Sequence, residues 1–151
     1  MGMRVLALDV GERRIGVAVS DPTGSLARPL RTLVRGSREE DVTAIAALVA
    51  AESAELVVVG RPLSLDGSEG PQARRIARYA EALAAHLPIP VVLWDERYTT
   101  TEAEEILRQS RGEKQRRRAR AAGDLDAIAA AVILQSYLDS RRDFYIASRE
   151  E

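Results

Sequence analysis

The chain has 151 residues, 46% of them hydrophobic and 30% charged, which is enough to form one globular domain and excludes a fully disordered protein. It contains no cysteine, which excludes disulfides and thiolate metal sites and favours a cytoplasmic location, and no apolar run approaches the roughly 20 residues that span a bilayer. The net charge of -1 conceals a concentration of basic residues within residues 108–120, so nucleic-acid binding has to be judged from local patches.

Residues 5–34 have the pattern of three antiparallel strands. Residues 5–9 form an apolar run suited to the middle of a sheet, and this run ends on the carboxylate of Asp9. A turn at residues 11–14 leads into a second strand at residues 15–20, and residues 27–34 mix apolar and arginine side chains as an edge strand does. Asp9 therefore lies at the root of a hairpin, where it either caps the turn or belongs to a functional site.

The pattern then changes to alternating helices and strands. A first helix has apolar residues at helical spacing, and residues 56–59 form the short apolar run of a buried parallel strand. Pro71 suits the first turn of a second helix, whose arginine side chains face outward. Residues 91–94 predict a fifth strand, which is followed directly by Asp95 and Glu96.

The C-terminal third combines a basic segment with an apolar helix. A capping-box pattern after the fifth strand predicts a third helix, and residues 111–123 predict a mobile basic loop because they have no apolar period. Asp124 can cap a last helix, whose residues 127–138 are apolar on nearly every side and should pack into the domain. Residues 141–151 are interpreted as a partly docked tail. No linker is evident, so residues 1–151 predict a single domain.

Carboxylates follow the ends of two predicted strands and precede the last helix. Asp9, Asp95 and Glu96 follow strands that should end at one edge of the sheet, and the last helix would bring Asp124 or Asp126 to the same edge. Residues two apart point to nearly opposite sides of a helix, so the simplest division gives Asp124 the cap and Asp126 the site. Gathered acids repel each other unless a cation neutralises them, and oxygen-only ligands suit Mg²⁺ or Mn²⁺. The pattern indicates metal-assisted hydrolysis of a phosphodiester.

Four motifs occur in order along nearly the whole chain: LALDVGERRIGVAVSD, VVGRPLSLDGSEG, WDERYTT and DLDAIAAAVILQSYL. Together they resemble the YqgF (RuvX-like) family of pre-16S rRNA nucleases, which have the ribonuclease H fold. The resemblance implies an α/β domain with a five-stranded mixed sheet, three antiparallel strands followed by two parallel ones, flanked by helices. It also implies that Asp9, Glu96 and Asp126 are the catalytic, metal-binding residues, with Asp95 as a further candidate ligand for Mg²⁺ or Mn²⁺.

Basic and polar side chains around these motifs are candidates for holding a nucleic-acid backbone. For most of them the alternative is an ordinary solvated loop charge, and for Arg97 it is an ion pair that supports a site carboxylate. The candidates are Arg13, Arg14, Arg61, Ser64, Arg97, Lys114, Arg116, Arg117, Arg118 and Arg120.

The leading hypothesis is a cytoplasmic, divalent-metal-dependent nuclease that matures the 16S rRNA precursor, acting as a monomer or weak homodimer without a membrane partner. One alternative keeps the site but makes a branched DNA, a Holliday junction, the substrate. Another is a non-catalytic RNA- or ribosome-binding module in which the acids hold a structural ion. A fourth, an actin-like ATPase, would need a second domain to enclose ATP, and the chain has room for only one.

Overall fold

The computed structural model describes residues 3–64, 66–96 and 125–150, with side chains described as far as Arg141 in the last helix. Within these ranges five strands form one sheet in the order β3-β2-β1-β4-β5. The strands are β1 (Val5–Val10), β2 (Arg14–Ser20), β3 (Ala27–Val34), β4 (Leu56–Arg61) and β5 (Val91–Asp95). The first three are antiparallel neighbours, while β1, β4 and β5 are parallel, which confirms the predicted mixed sheet with β3 at its edge.

Three helices cover the two faces of this sheet in the described part of the chain: α1 (Arg38–Ala51), α2 (Pro71–His86) and α3 (Leu125–Glu150). Helices α1 and α2 pack on one face and α3 on the other. Because both faces are covered, the central strands are apolar without alternation; Leu6 and Leu8 face α1 and α2, whereas Val5 and Ala7 face α3.

Local sequence signals fix the starts of the first two helices. Ser37 and Glu40 form a capping box at α1, and Pro71 opens α2 as predicted. Helix α3 extends to Glu150, so the segment interpreted as a tail continues the helix instead. The helix predicted after β5, the basic loop at residues 111–123 and Asp124 lie outside the described residues.

The strand directions collect several chain ends at one edge of the sheet. Strands β1, β3, β4 and β5 run the same way, so their carboxyl ends lie at this edge, called here the carboxyl edge. Helices α1 and α2 begin there because each follows one of these strands. None of the described helices is both long and apolar enough to cross a membrane.

Candidate active site

Asp9 lies near the end of β1 on the face that packs against α3. Side chains alternate along a strand, so Asp9 shares its face with Val5 and Ala7, which contact the α3 cluster. Its partner across the antiparallel ladder is Gly16 of β2. Burial, and secondarily the charge of Asp126, raises the pKa of Asp9 above its ordinary value. Asp9 is thus a half-buried acid with another carboxylate beside it.

Gly16 determines how closely α3 approaches the sheet. A β-carbon built on Gly16 would lie 1.8 Å from the carbonyl oxygen of Asp126, so the first turn of α3 lies directly against β2. A glycine inside a strand often marks such a close approach of another backbone. The contact places the backbone of Asp126 against Gly16, the register partner of Asp9.

Asp126 has a cationic partner on β2. The Nε of Arg14 donates a hydrogen bond of 2.9 Å to Oδ2 of Asp126, and the two groups form an ion pair. The guanidinium offsets part of the negative charge at the site. Arg14 is therefore placed at the candidate site, but as a partner of a carboxylate.

Glu96 follows β5 and reaches back over β4. A β-carbon built on Gly60 would lie 3.2 Å from Oε1 of Glu96 and 2.6 Å from Cδ1 of Ile133, so a small residue at Gly60 leaves room for this carboxyl under α3. Burial, then the charges of Asp9 and Asp95, raises the pKa of Glu96 to about 7. Asp9 therefore interacts electrostatically with both Glu96 and Asp126.

Asp95 is close to Glu96 but has a different orientation. Val91 and Leu93 of β5 pack with the α1/α2 cluster, so the strand alternation places Asp95 on that face. Its register partner is Arg61 of β4. Asp95 thus contributes charge to the site from the opposite side of the sheet.

The carboxylates suit a hard divalent cation. Their donor atoms are all oxygens. The pKa values of Asp9 and Glu96 are raised first by burial and then by the charges of neighbouring carboxylates. A cation would relieve this repulsion. Among the described residues no three acids or histidines are close enough to form a ready-made metal-binding group, so a metal would have to draw Glu96 and Asp126 closer around Asp9.

Only some of the predicted nucleic-acid-binding residues lie in the part of the chain that the structure describes. Arg13 is exposed in the turn after β1, and Ser64 is exposed in a loop closed by a hydrogen bond of 3.1 Å from its own N–H to the carbonyl of Ser68. Arg61 forms an ion pair with Glu69, a partner that the sequence reading did not identify. Arg97, Lys114, Arg116, Arg117, Arg118 and Arg120 lie outside the described residues.

Gly16 and Gly60 shape the site, and neither of these packing roles was predicted from the sequence. Both lie inside apolar strands. A glycine there weakens the strand, so it often marks a place where another part of the chain approaches closely. That signal was present in the sequence, but it does not say which distant segment approaches.

The chain was then compared with known proteins. The model of the RuvX family, described as Holliday junction resolvase, matches residues 3–140. A protein of Syntrophus aciditrophicus (strain SB) named "Putative pre-16S rRNA nuclease" is 50% identical over 138 residues, which cover 91% of this chain and 89% of that protein. A protein of the same name from Caldanaerobacter subterraneus subsp. tengcongensis is 46% identical over 145 residues, covering 93% and 99%.

Solved structures with a similar fold include RuvC and a viral resolvase. Thermus thermophilus RuvC superposes with a TM-score of 0.58 at 15% identity, covering 93% of this chain and 97% of that chain. The Fowlpox virus resolvase in complex with Holliday junction DNA gives a TM-score of 0.55 at 13% identity, covering 91% and 98%. At such identities the likeness concerns the fold alone, and it confirms the ribonuclease H-like architecture.

Proposed function

The chain belongs to the RuvX family of nucleases, and from that premise we propose that it hydrolyses phosphodiester bonds of the 16S rRNA precursor with the help of a divalent metal ion. The observation that carries this proposal is the convergence of Glu96 and Asp126 on Asp9 at the carboxyl edge. In open α/β sheets, sites form beyond the carboxyl ends of the parallel strands.

Asp9, Glu96 and Asp126 would hold one or two Mg²⁺ or Mn²⁺ ions. Asp95, predicted from the sequence as a further ligand, lies on the opposite face of the sheet and would act on the site only through its charge. When bound, such an ion supplies Lewis acidity to the phosphate and lowers the pKa of the attacking water. Asp9 is the central ligand because it interacts with both other acids. Arg14 orients the Asp126 carboxylate through its hydrogen bond of 2.9 Å, so the site does not depend on the metal alone to fix this group. No protein nucleophile is required.

The substrate would be held by the basic residues predicted from the sequence. Arg14 contacts Asp126, and Arg13 precedes it in the exposed turn after β1. Arg61 ends β4, and Ser64 follows in the next loop. Arg97 and the basic residues from Lys114 to Arg120 stay predictions, because they lie outside the described residues. We place the protein in the cytoplasm as a monomer or weak homodimer.

Branched DNA is the second candidate substrate. The description of the family model is Holliday junction resolvase, whereas the curated relatives carry the name of a pre-16S rRNA nuclease. We rank the precursor first because the relatives at 46% and 50% identity carry that name.

The decisive experiment is a metal-dependence assay on matched precursor RNA and four-way DNA at fixed salt. Wild type should cleave only with Mg²⁺ or Mn²⁺, and Asp9→Asn should lose roughly 1,000-fold or more in rate, since it removes a ligand worth several kcal/mol of charge stabilisation. Glu81→Gln, on the exposed side of α2, is the control and should cleave as wild type does.

Four results would change the proposal. Full activity of Asp9→Asn would show that the assigned site is wrong. Undiminished cleavage in EDTA would show that the reaction does not require a metal ion. The absence of any product with Mn²⁺ present would favour the non-catalytic binding module. A strong preference for the four-way DNA would reverse the order of the two substrates.

A further inference from the structure

A groove of about 440 Å³ opens at the carboxyl edge on the face of the sheet away from α3. The start of α1 forms one wall and the first half of α2 the other. Its floor is made by apolar side chains, namely Val10, Ile76 and Tyr79. The groove is thus separated from the candidate active site by the thickness of the sheet, but it lies at the same edge.

The groove lining is strongly basic. Among the residues that the structure describes, five arginines and a single carboxylate, that of Glu12, line it. Arg38, Arg74, Arg75 and Arg78 are exposed, and none of the four forms an ion pair with a carboxylate in the described part of the chain. These guanidinium groups converge on a concave surface from two helices, whereas the charges of a simple solvated face lie along one helix and point apart.

The fifth arginine, Arg35, is part of the structure that holds the groove in shape. Its guanidinium lies 3.5 Å from the buried carboxylate of Asp41, donates a hydrogen bond of 2.9 Å to the carbonyl of Gly11 and lies 5.0 Å from the ring centre of Tyr79. The Tyr79 hydroxyl donates a hydrogen bond of 3.1 Å to Asp41. This network ties α1, α2 and the turn after β1 together, so Asp41 does not neutralise the outer arginines.

The start of α2 adds positive potential to the same groove. Pro71 and Gln72 line it, and the N-cap, Gly70, provides no side-chain hydrogen bond to the first turn. The free N–H groups and the dipole of a helix start favour an anion. Both the side chains and the backbone of the groove therefore favour negative charge.

The groove also adjoins the candidate active site along the chain. Asp9 faces α3, and the next residue, Val10, faces the groove. Gly11 and Glu12 of the following turn line it as well. A nucleic-acid strand that lies across the Asp9 carboxylate has only this turn to cross before it reaches the arginines.

We propose that this groove binds the phosphate backbone of the nucleic-acid substrate at a distance from the scissile bond. The proposal rests on the proposed function, because it takes the nuclease substrate as the ligand. It assigns substrate binding to Arg38, Arg74, Arg75 and Arg78, none of which belongs to the sequence motifs of the site. Contacts of this kind are independent of base sequence and weaken with salt through counterion release.

The test measures binding of single-stranded precursor RNA at several salt concentrations, in an Asp9→Asn background that prevents cleavage. The groove variant is Arg75→Gln/Arg78→Gln. The control, Arg28→Gln/Arg31→Gln, removes the same charge from the edge strand β3. Glutamine keeps the helix propensity of arginine, and circular dichroism checks that both variants are folded.

The groove variant should bind all RNA sequences more weakly than the control does. The slope of log affinity against log salt should become shallower by roughly 0.7 for each phosphate of the single strand that the protein no longer neutralises. Arg38→Gln, on the opposite wall, should lower affinity in the same way. Affinity and slope equal to those of the control would overturn the proposal, as would displacement of the RNA by millimolar inorganic phosphate, which would indicate a small-anion site.

Failure of this proposal and failure of the proposed function give different results. If Asp9→Asn still cleaves, the active-site assignment fails, and the groove and control variants are then compared by RNA binding in EDTA on an RNA analogue that is not cleaved. If Asp9→Asn is inactive and the groove variant binds as the control does, only the groove assignment fails.

Discussion

At the residue scale, the candidate site places acids together against their mutual repulsion. Burial and two neighbouring carboxylates raise the pKa of Glu96 to about 7 from an ordinary value of 4.5. Between these two pH values the folded protein binds more protons than the unfolded chain. The free energy of unfolding therefore falls as pH rises from about 4.5 to about 7, and it is level above that range as far as Glu96 is concerned.

Glu96→Gln should remove this pH dependence. Glutamine keeps the size of the side chain but carries no charge, so the variant should be more stable than wild type at pH 8 in EDTA. Glu96 is partly exposed, and solvent screening limits the expected gain to about 1–2 kcal/mol. Denaturant unfolding at pH 4 and pH 8 measures it, and the two proteins should converge at pH 4, below the ordinary pKa of the glutamate.

Glu81→Gln serves as the matched control, because Glu81 is an exposed acid of α2. It should leave the free energy of unfolding within about 0.5 kcal/mol of wild type at both pH values. If Glu96→Gln destabilised the metal-free protein at pH 8, the carboxylate would be stabilised by its surroundings, and the argument from repulsion would be wrong.

At the scale of elements, the site depends on how α3 is attached to the sheet. Gln135 accepts a hydrogen bond of 2.9 Å from the N–H of Ala27 and donates one of 3.0 Å to the carbonyl of Ser25. On the other side, Trp94 of β5 donates a hydrogen bond of 3.2 Å to Ser136. These contacts fix α3 between β3 and β5, so its first turn meets β2 at Gly16.

Gly16→Ala should separate α3 from the sheet. The added methyl group would overlap the backbone of Asp126, which cannot rotate away as a side chain can. We expect a loss of about 3 kcal/mol or more, which corresponds to a fall of roughly 10 °C in melting temperature. Cleavage at a temperature where the variant is still folded should also fall, because Asp126 no longer lies opposite Asp9.

Gly70→Ala is the matched control for this substitution. A β-carbon at Gly70 has nothing within 4 Å and the backbone there is extended, so only the N-cap preference is lost. The cost should stay near or below about 1 kcal/mol. Equal stability of Gly16→Ala and wild type would mean that α3 does not lie against β2 as described.

The elements themselves were largely predictable from the sequence, and their contacts were not. Apolar runs and caps located the five strands and the starts of α1 and α2, because these signals are local. The approach of Asp126 to Gly16 joins residues far apart in the chain, and no periodicity encodes it. Arg61 stays a predicted substrate contact, but its ion pair with Glu69 could not be predicted, since a charge pattern does not identify the partner of a charge.

The burial of Asp41 illustrates the same limit. Helical spacing predicts a buried apolar face for α1, yet this acid is only 4% exposed. It is accommodated because the N–H of Gly36, the hydroxyl of Tyr79 and the guanidinium of Arg35 all donate to it or pair with it. All three partners lie outside α1 and its N-cap, Ser37, so the sequence of the helix alone could not predict that Asp41 is buried.

At the scale of the whole molecule, the two faces of the sheet differ in charge at the carboxyl edge. The acids lie toward α3, and the arginine groove lies toward α1 and α2. The net charge of -1 averages the two and hides both. A cation bound by the acids would make both faces of this edge attractive to phosphate.

Divalent metal should therefore stabilise the whole protein. Only the folded chain brings Asp9, Glu96 and Asp126 together, so Mn²⁺ at 100 times its dissociation constant should add about 2.7 kcal/mol and raise the melting temperature by several degrees. Asp9→Asn should lose most of this shift, while Glu81→Gln, which alters an exposed acid of α2, should keep it. A shift of equal size in Asp9→Asn would place the metal elsewhere. No shift in wild type at millimolar Mn²⁺, pH 8, would show that the three carboxylates do not form a metal site without substrate.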